Sequence, residues 1–453
     1  YGIKSYIFES LRPTPELSFA VRYLKCAGGI MITASHNPKE HNGYKVYDDT
    51  GCQLLPEAAD QVVQYVNEVE DELNIKVFSD EEAYPYMTWI GEEVDEAYYK
   101  EVMAIEVNSG MDKSDFKIVF SPQHGTSNIA VRTCLTRLGY DLVPVLAQCA
   151  PDPDFSNTKS PNPEVPASYE LAIKKAKEVD ADVVVITDPD GDRLGVVAKH
   201  NGEYVLMSGN QSAAVYLEYI LSQMKEKGTL PDNAVMYNTI VTSDLGELVA
   251  RSYGVDVEKT LTGFKFIGDK IRKYEQTHEK TFVFGYEESY GCVIKDFVRD
   301  KDAVQAVLTA AEAGNFYKKQ GKDLVDVLNE LYAKHGTFKE TQIALSKAGA
   351  AGAARIKEIM DNLRKDAPQE IGGVKVVKVE DYGNSTCSDG TTIQLPKSNV
   401  LKYYLEDGSW IAARPSGTEP KCKFYFSIKG SDADDAASKT EVFHKAMMEI
   451  IGE

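Results

Sequence analysis

Short runs of β-branched residues alternate with amphipathic helical patterns over about three quarters of the chain. GGIMITAS precedes the helical pattern PEAADQVVQYVNEVEDEL, and KIVFSP precedes NIAVRTCLTRLG. The helical pattern SYELAIKKAKEV leads into DVVVITD. Apolar strands separated by amphipathic helices are typical of parallel sheets covered by helices on both faces. The pattern predicts an α/β protein.

This pattern restarts several times, and each restart carries a polar loop directly after a strand. Turn-rich breaks near residues 112, 229 and 336 separate the restarts. After the last break the chain becomes strand-rich with Asp-Gly turns, which predicts a smaller α+β domain with an antiparallel sheet. The predicted domains are residues 1–112, 113–229, 230–338 and 339–453.

Composition and charge narrow the class of protein. The chain has 453 residues, 50 Lys and Arg against 70 Asp and Glu, and a formal net charge of −20. Such a field repels nucleic acid and anionic lipid, so we expect no nucleic-acid or membrane partner. Seven scattered cysteines without a CxxC pair, and no apolar run long enough to span a bilayer, favour a cytoplasmic protein.

The segment ITASHNPKEHNGYK places a serine beside a histidine at the end of the predicted strand GIMIT. A serine needs activation or prior modification to act as a nucleophile, and His36 is suited to handling protons. The GxSxG elbow of many serine hydrolases is absent. Taken alone, the turn around Ser35 favours a solvated surface loop over a nucleophile.

The loop TDPDGDRLG follows the predicted strand DVVVI. Its aspartates Asp188, Asp190 and Asp192 alternate around a proline and a glycine, so a compact turn can bring three carboxylates together. Such a cluster repels itself unless a hard cation occupies it, and oxygen ligands favour Mg²⁺. Arg193 could reach a phosphate that bridges to the metal.

Two further loops carry groups that suit a phosphorylated sugar. FGYEESYG follows the predicted strand TFVF, and its glutamates and serine offer acceptors to sugar hydroxyls. In VRDKDAV, Lys301 lies between aspartates and could act as an acid or a base. RPSGTEPK offers an arginine fork, hydroxyls and backbone N–H groups, which favours a phosphate cradle over a plain turn.

Together the motifs TASHNP, DPDGDR, GYEES and RPSGTEP resemble, in order and approximate spacing, those of the α-D-phosphohexomutase superfamily. The GYEES form is similar to that of its phosphoglucomutase branch, which also includes phosphopentomutase-like members. The similarity extends over essentially the whole chain and includes PNPE and TGFKFIG. It implies three similar α/β domains around a central cleft, followed by a smaller α+β domain.

The resemblance also implies roles for individual residues. Ser35 would be carried as phosphoserine, and its phosphoryl group would bind one Mg²⁺ together with Asp188, Asp190 and Asp192. Arg193 would contact that phosphoryl group. The implied sugar-binding residues are Thr262, Gly263, Glu287 and Ser289, and the implied phosphate-binding residues are Arg414, Ser416, Gly417 and Thr418. His36, Lys45 and Lys301 match positions with acid or base duties in parts of the family.

The implied reaction transfers a phosphoryl group between C1 and C6 of glucose through glucose 1,6-bisphosphate. Ribose and mannose phosphates are alternative substrates of the same mechanism, and a non-catalytic phosphosugar-binding protein or a metal-dependent phosphatase are alternatives of other classes. We expect a monomer or homodimer with a locally basic site that includes Lys265, Lys421 and Lys423. Because YGIKSYIFES begins like the middle of an α/β unit, we also expect that the N-terminal part of domain 1 is missing.

Overall fold

The computed structural model describes residues 2–416 and 420–453 of the chain. Helices and strands alternate over most of its length, as the sequence pattern predicts. The helices are α1 (Thr14–Tyr23), α2 (Pro56–Asn67), α3 (Asp80–Ala83), α4 (Glu92–Met103), α5 (Asn128–Arg137), α6 (Glu170–Val179), α7 (Gly209–Glu226), α8 (Asp244–Ser252), α9 (Phe264–Thr277), α10 (Ala303–Lys318), α11 (Leu324–His335), α12 (Gly349–Lys365) and α13 (Ala433–Ile451).

Within the described residues the strands are short, and most of them have three to eight residues. They are β1 (Ser5–Phe8), β2 (Gly28–Ile32), β3 (Tyr44–Asp48), β4 (Met87–Ile90), β5 (Lys117–Ser121), β6 (Asp141–Pro144), β7 (Val183–Thr187), β8 (Leu194–His200), β9 (Glu203–Met207), β10 (Ala234–Thr239), β11 (Asp256–Thr260), β12 (Thr281–Glu287), β13 (Gly291–Val293), β14 (Thr337–Ser346), β15 (Glu370–Ile371), β16 (Val374–Asp381), β17 (Thr386–Cys387), β18 (Leu401–Leu405), β19 (Trp410–Pro415) and β20 (Lys421–Gly430).

Packing divides the chain into two compact units. The first contains Tyr1–Asn238, Tyr253–Glu258 and Gly263–Val327. The second contains Thr239–Ser252, Lys259–Thr262 and Leu328–Glu453. The boundaries predicted from the sequence breaks for four domains stay a prediction. In the described part of the chain, no helix is both long enough and apolar enough to cross a membrane.

The first unit contains parallel and antiparallel strand pairs. β1 pairs with β4 in parallel, whereas β2 and β3 form an antiparallel hairpin. A five-stranded sheet has the order β6-β5-β7-β8-β9, parallel across β6, β5 and β7 and antiparallel beyond. Every residue of β7 is buried, because a strand in the middle of a covered sheet needs apolar side chains on both faces.

A further four-stranded sheet has the order β11-β10-β12-β13. β10 and β12 are parallel, and β12 turns back into the antiparallel β13. The helix α10 that follows is buried along nearly its whole length, because its sequence AVQAVLTAAEAG is apolar all round. This arrangement places the ends of β7 and β12 and the start of α10 in the same unit.

The second unit is built on an antiparallel sheet with the order β14-β20-β19-β18-β16-β15, and β17 pairs with β16. α12 and α13 supply apolar side chains to the core of this unit. The sequence pattern did not predict β14, whose TFKETQIALS carries polar residues on the face that does not enter the core. The mixed sheets and this antiparallel sheet confirm the predicted fold class.

Candidate active site

Ser35 lies in the turn that follows β2 and precedes the hairpin partner β3. Thr33 N–H donates to Gly43 O at 3.0 Å and closes the base of this turn. Ser35 has a φ of 54°, in the left-handed region that residues other than glycine rarely adopt. Its N–H donates to Thr33 Oγ1 at 2.8 Å, which offsets part of the strain. Strain of this kind is concentrated at functional sites.

The three aspartates lie in the tight loop between β7 and β8. All three side chains are buried, and carboxylate oxygens of Asp188, Asp190 and Asp192 lie within 4.8 Å of one another. Gly191 supplies the positive φ of 69° that this turn requires. Asp188 Oδ1 accepts from the N–H groups of Asp192 and Arg193 at 3.1 and 3.0 Å. The loop is therefore folded around one of its own carboxylates.

The serine turn and the acidic loop meet. Ser35 Oγ lies 3.3 Å from Asp188 Oδ2, 3.2 Å from Asp190 Oδ1 and 3.1 Å from His36 Nδ1. Burial lowers the pKa of His36 to about 4, and the Arg193 guanidinium acts in the same direction. The imidazole is therefore neutral near neutral pH and can accept a hydrogen bond from the Ser35 hydroxyl.

Two lysines contact the acidic loop, the half-buried Lys45 and the buried Lys301. Lys45 Nζ, on β3, lies 2.9 Å from Asp190 Oδ2 and 2.8 Å from Asp192 Oδ2. Lys301 Nζ lies 3.2 Å from Asp192 Oδ2 and 3.5 Å from Asp300 Oδ1. Burial disfavours a charged ammonium, but these carboxylates outweigh it and hold the pKa of both lysines above the ordinary value. Both lysines are cations.

The GYEES loop joins the same cluster. Glu287, the last residue of β12, is buried with Oε1 3.8 Å from Lys301 Nζ. Burial raises its pKa to about 7, against the opposing effect of Lys301 and Arg193. Gly291 pairs with Glu287, and a Cβ at that position would collide with Lys301 Cδ. Ser289 is half-buried in the turn between β12 and β13.

Arg193 holds the acidic loop to the segment PNPE. Its Nη1 lies 2.9 Å from Glu164 Oε1, and its Nε lies 3.9 Å from Asp192 Oδ1. Although burial opposes the charge, the surrounding carboxylates, led by Glu287, raise the pKa of the guanidinium above its ordinary value. The predicted contact between Arg193 and a phosphoserine stays a prediction.

The acidic loop fits a divalent cation. Burial, together with Asp190 and Asp192, raises the pKa of Asp188 well above its ordinary value. The lysines hold the pKa of Asp190 and Asp192 low in spite of burial. Within the described residues, the buried Asp192 Oδ1 accepts no hydrogen bond. Three buried carboxylates with an unused oxygen are a donor set that a hard cation prefers.

The sequence motifs did not identify two residues that contact this cluster. Thr14, fully buried at the start of α1, donates from Oγ1 to Asp190 Oδ2 at 3.3 Å. Asp300 contacts Lys301 and accepts from the buried Tyr47 hydroxyl at 2.6 Å. Thr14 begins an ordinary helical pattern, so only the tertiary structure reveals its contact with Asp190. Asp300 directly precedes the candidate residue Lys301, and this neighbourhood was a sequence signal that could have identified it.

The predicted phosphate-binding loop belongs to the second unit. Arg414, on β19, is half-buried, and its Nη1 donates to Tyr425 Oη at 3.4 Å. Ser416 N–H donates to Lys421 O at 2.7 Å across the turn between β19 and β20. Gly417 and Thr418 lie outside the described residues. The roles of these four residues stay predictions.

The predicted sugar-binding pair Thr262 and Gly263 lies just before α9. Gly263 is the residue that precedes the first turn of this helix, and its φ of 107° requires glycine. Lys265, in the first turn of α9, has a pKa lowered by burial. Their contacts with a sugar stay predictions.

Family models of phosphoglucomutase/phosphomannomutase match four parts of the chain. They are α/β/α domain I at residues 1–73, domain II at 96–202, domain III at 208–335 and the C-terminal domain at 353–445. A phosphoglucomutase of Staphylococcus epidermidis is 39% identical over 447 residues, which are 97% of this chain and 80% of that protein. A phosphoglucomutase of Staphylococcus haemolyticus is 38% identical over 435 residues, 94% of this chain and 78% of that protein.

Solved structures share the fold. Parafusin, a phosphoglucomutase from Paramecium, aligns with a TM-score of 0.71 at 20% identity, over 99% of this chain and 84% of its own. A phosphoglucomutase/phosphomannomutase family protein from Burkholderia thailandensis aligns with a TM-score of 0.67 at 19% identity, over 97% of this chain and 81% of its own.

Proposed function

The chain belongs to the phosphoglucomutase/phosphomannomutase family, and we propose that it is a phosphoglucomutase, an isomerase that interconverts glucose 1-phosphate and glucose 6-phosphate. The observation that carries this proposal is the position of Ser35 Oγ, which lies within 3.3 Å of two buried carboxylates. A plain serine hydroxyl has one proton to donate, so it can satisfy only one of these acceptors at a time. A phosphoserine with a bound cation suits this setting, because the cation neutralises both the phosphoryl group and the carboxylates.

In the proposed reaction, Ser35 carries a phosphoryl group. The bond between Ser35 Oγ and phosphorus breaks as phosphorus bonds to the free hydroxyl of the sugar monophosphate; that hydroxyl gives its proton to a base, and Ser35 Oγ takes up a proton. Glucose 1,6-bisphosphate forms. It then turns over and transfers its other phosphoryl group to Ser35 Oγ, whose hydroxyl proton passes to a base while the sugar oxygen left behind takes up a proton. Such a transfer depends on positioning and charge neutralisation more than on covalent assistance.

We propose roles for three residues that are consistent with their charge states. His36 is neutral and lies 3.1 Å from Ser35 Oγ, so it suits the role of base. Lys45 and Lys301 are cations with a raised pKa, so they suit charge neutralisation, and their acid or base duty stays a prediction. Because Lys301 is buried and Lys45 half-buried, this charge is more effective than it is in water.

We propose that Asp188, Asp190 and Asp192 hold one Mg²⁺, together with the phosphoryl group on Ser35. When bound, Mg²⁺ supplies positive charge to the oxygens of the transferred phosphoryl group. The support is the all-oxygen donor set and the unused Asp192 Oδ1. Arg193 would contact the same phosphoryl group.

The remaining predicted residues would hold the substrate at its two ends. Glu287 and Ser289, with Thr262 and Gly263, would accept the sugar hydroxyls, since carboxylate and hydroxyl oxygens suit such donors. Arg414, Ser416, Gly417 and Thr418 would hold the phosphate that is not transferred. We further propose a cytoplasmic location, on the basis of seven scattered cysteines without a CxxC pair. A monomer or homodimer stays a prediction.

A coupled assay for glucose 6-phosphate formed from glucose 1-phosphate tests this proposal, with mannose 1-phosphate and ribose 1-phosphate measured in parallel. We expect glucose turnover that requires Mg²⁺ and a trace of glucose 1,6-bisphosphate. Ser35→Ala should lose both this turnover and the phosphoryl group seen by intact mass. Ser222→Ala serves as the control, because Ser222 lies on α7 and donates to Tyr219 O on its own helix.

Each other result points to a different conclusion. Preferred turnover of mannose or ribose phosphate would assign a phosphomannomutase or phosphopentomutase. Binding of phosphosugars without turnover by the phosphorylated protein would indicate a non-catalytic binder. A phosphoryl group retained in Ser35→Ala would move the nucleophile to another residue.

A further inference from the structure

The backbone of the acidic loop is held from three sides. Its three consecutive carbonyl groups each accept a hydrogen bond from a residue at or next to the start of a different helix. The contacts are Thr126 N–H to Pro189 O at 2.8 Å, Thr14 N–H to Asp190 O at 2.8 Å and Ala303 N–H to Gly191 O at 3.1 Å. These helices are α5, α1 and α10, which fall in the regions matched by family domains II, I and III. The loop is thus fixed by three separate parts of the chain.

Two of these residues add a side-chain contact. Thr126 Oγ1 donates to Pro189 O at 3.0 Å, so this carbonyl accepts from both the amide and the hydroxyl of one residue. Thr14 Oγ1 donates to Asp190 Oδ2, the same oxygen that Lys45 Nζ contacts. Neither threonine contacts Ser35 in these bonds. Both act on the backbone of the loop, and Thr14 also acts on one of its carboxylates.

The turn that carries Thr126 is strained. Gln123 and His124 are consecutive buried residues with φ of 50° and 61°, both in the left-handed region. Gly125 follows, and a Cβ there would lie 2.5 Å from Pro189 Cα. The backbone of this turn therefore packs directly against the backbone of the acidic loop. Such strain persists only where the surroundings over-determine the conformation, and it is concentrated at functional sites.

We propose that Thr14 and Thr126 are positioning residues that hold the acidic loop in the shape that binds the divalent cation. This inference rests on the proposed metal site of the mutase. Three carboxylates repel one another, so an unsupported loop would spread before a cation arrives. Hydrogen bonds from outside the ligand set hold the carboxylates together in advance, and metal affinity depends on such support.

The test is a titration of the purified protein with Mn²⁺, followed by the decrease of the free-ion EPR signal. Thr126→Val removes the hydroxyl at nearly constant volume, and we expect about 10-fold weaker Mn²⁺ binding or more. Thr126→Ser keeps the hydroxyl and should restore the wild-type affinity. Thr14→Val and Thr14→Ser should behave in the same way. Intact mass ensures that the compared samples carry equal phosphorylation.

A control variant separates this effect from a general loss of stability. Thr440→Val removes a buried hydroxyl that donates to Ala436 O on α13, in the second unit, and should bind Mn²⁺ like the wild type. Because Thr14 is fully buried, its valine variant could fail to fold; Thr126 is only half-buried, so Thr126→Val is the deciding variant.

Activity gives a second readout. The Mg²⁺ concentration for half-maximal activity should rise in Thr126→Val by the same factor as the Mn²⁺ dissociation constant, with kcat at saturating Mg²⁺ unchanged. Wild-type Mn²⁺ affinity in Thr126→Val would overturn the inference. Absence of saturable Mn²⁺ binding to the wild type would instead overturn the metal site on which it rests.

Discussion

Both units of the molecule bury a lysine, and the two lysines have opposite electrostatic surroundings. Lys301 in the first unit contacts Asp192, Asp300 and Glu287, which raise its pKa although burial opposes its charge. Lys402 in the second unit is fully buried against the ring of Trp410, 3.8 Å from its centroid, and donates to Ile240 O at 2.8 Å.

For Lys402, burial lowers the pKa to about 7, and the nearby cation of Lys259 adds to this effect. Asp244 opposes this lowering of the pKa, but its two oxygens accept hydrogen bonds from the Lys259 ammonium and the Trp410 indole N–H instead. The comparison shows that burial does not decide whether a lysine is charged. The partners decide, and carboxylates keep Lys301 a cation in the place where a phosphoryl group needs one.

The largest difference between the two sites should appear when each lysine becomes methionine. Lys301→Met removes a cation that Asp192, Asp300 and Glu287 share, although Lys45 still contacts Asp192, and we expect kcat to fall by about 10³-fold. Lys402→Met removes a costly buried ammonium at similar volume, so we expect kcat to be retained. The coupled assay measures both. Equal losses of kcat in the two variants would mean that both substitutions act by destabilising the fold and that the charge of Lys301 has no separate effect.

A smaller effect should follow when Lys301 is kept but displaced. Gly291→Ala places a Cβ against the stem of Lys301, so the ammonium must move, and we expect kcat to fall by about 10²-fold. Gly110→Ala is the matched control, because nothing lies within 4 Å of a Cβ at Gly110. Full activity of Gly291→Ala would show that Lys301 need not occupy its observed position.

The smallest expected effect is a pH dependence of the stability of the second unit. Lys402 has a folded pKa of about 7, below its ordinary value of 10.5, so the unfolded chain binds more protons between these values. Stability from this residue therefore rises as pH increases from 7 towards 10, by at most about 1 kcal/mol per pH unit, and does not change below pH 7.

Denaturant unfolding of the wild type and of Lys402→Met at several pH values measures this contribution, as the difference between their free energies of unfolding. Trp410 reports locally in a Trp89→Phe background, because the chain has only two tryptophans. A difference that stays constant from pH 7 to 10 would show that Lys402 keeps its proton. Lys301 would then no longer be distinguished from Lys402 by charge.

Much of the fold was predictable from the sequence because it depends on local patterns. The strands that end at Ile32, Thr187 and Glu287 were predicted from apolar runs followed by polar turns, and the structure has a strand at each place. The sequence pattern did not predict β14, because its polar residues obscure the apolar run typical of a strand. Only its pairing with β20 over its whole length defines it. Strand direction, such as the antiparallel pairing of β2 with β3, also needed the structure.

The sequence by itself determined the α/β class, the family and the chemical content of the loops, because periodicity and motifs are properties of neighbouring residues. Only the tertiary structure decided that Ser35 lies 3.2 Å from Asp190, a residue 155 positions away. It alone decided that Thr14 supports Asp190, and that Lys301 is held as a cation while burial depresses the pKa of Lys402. Distances between remote residues and the charge of a buried group depend on what the fold packs around them, and no local pattern contains that information.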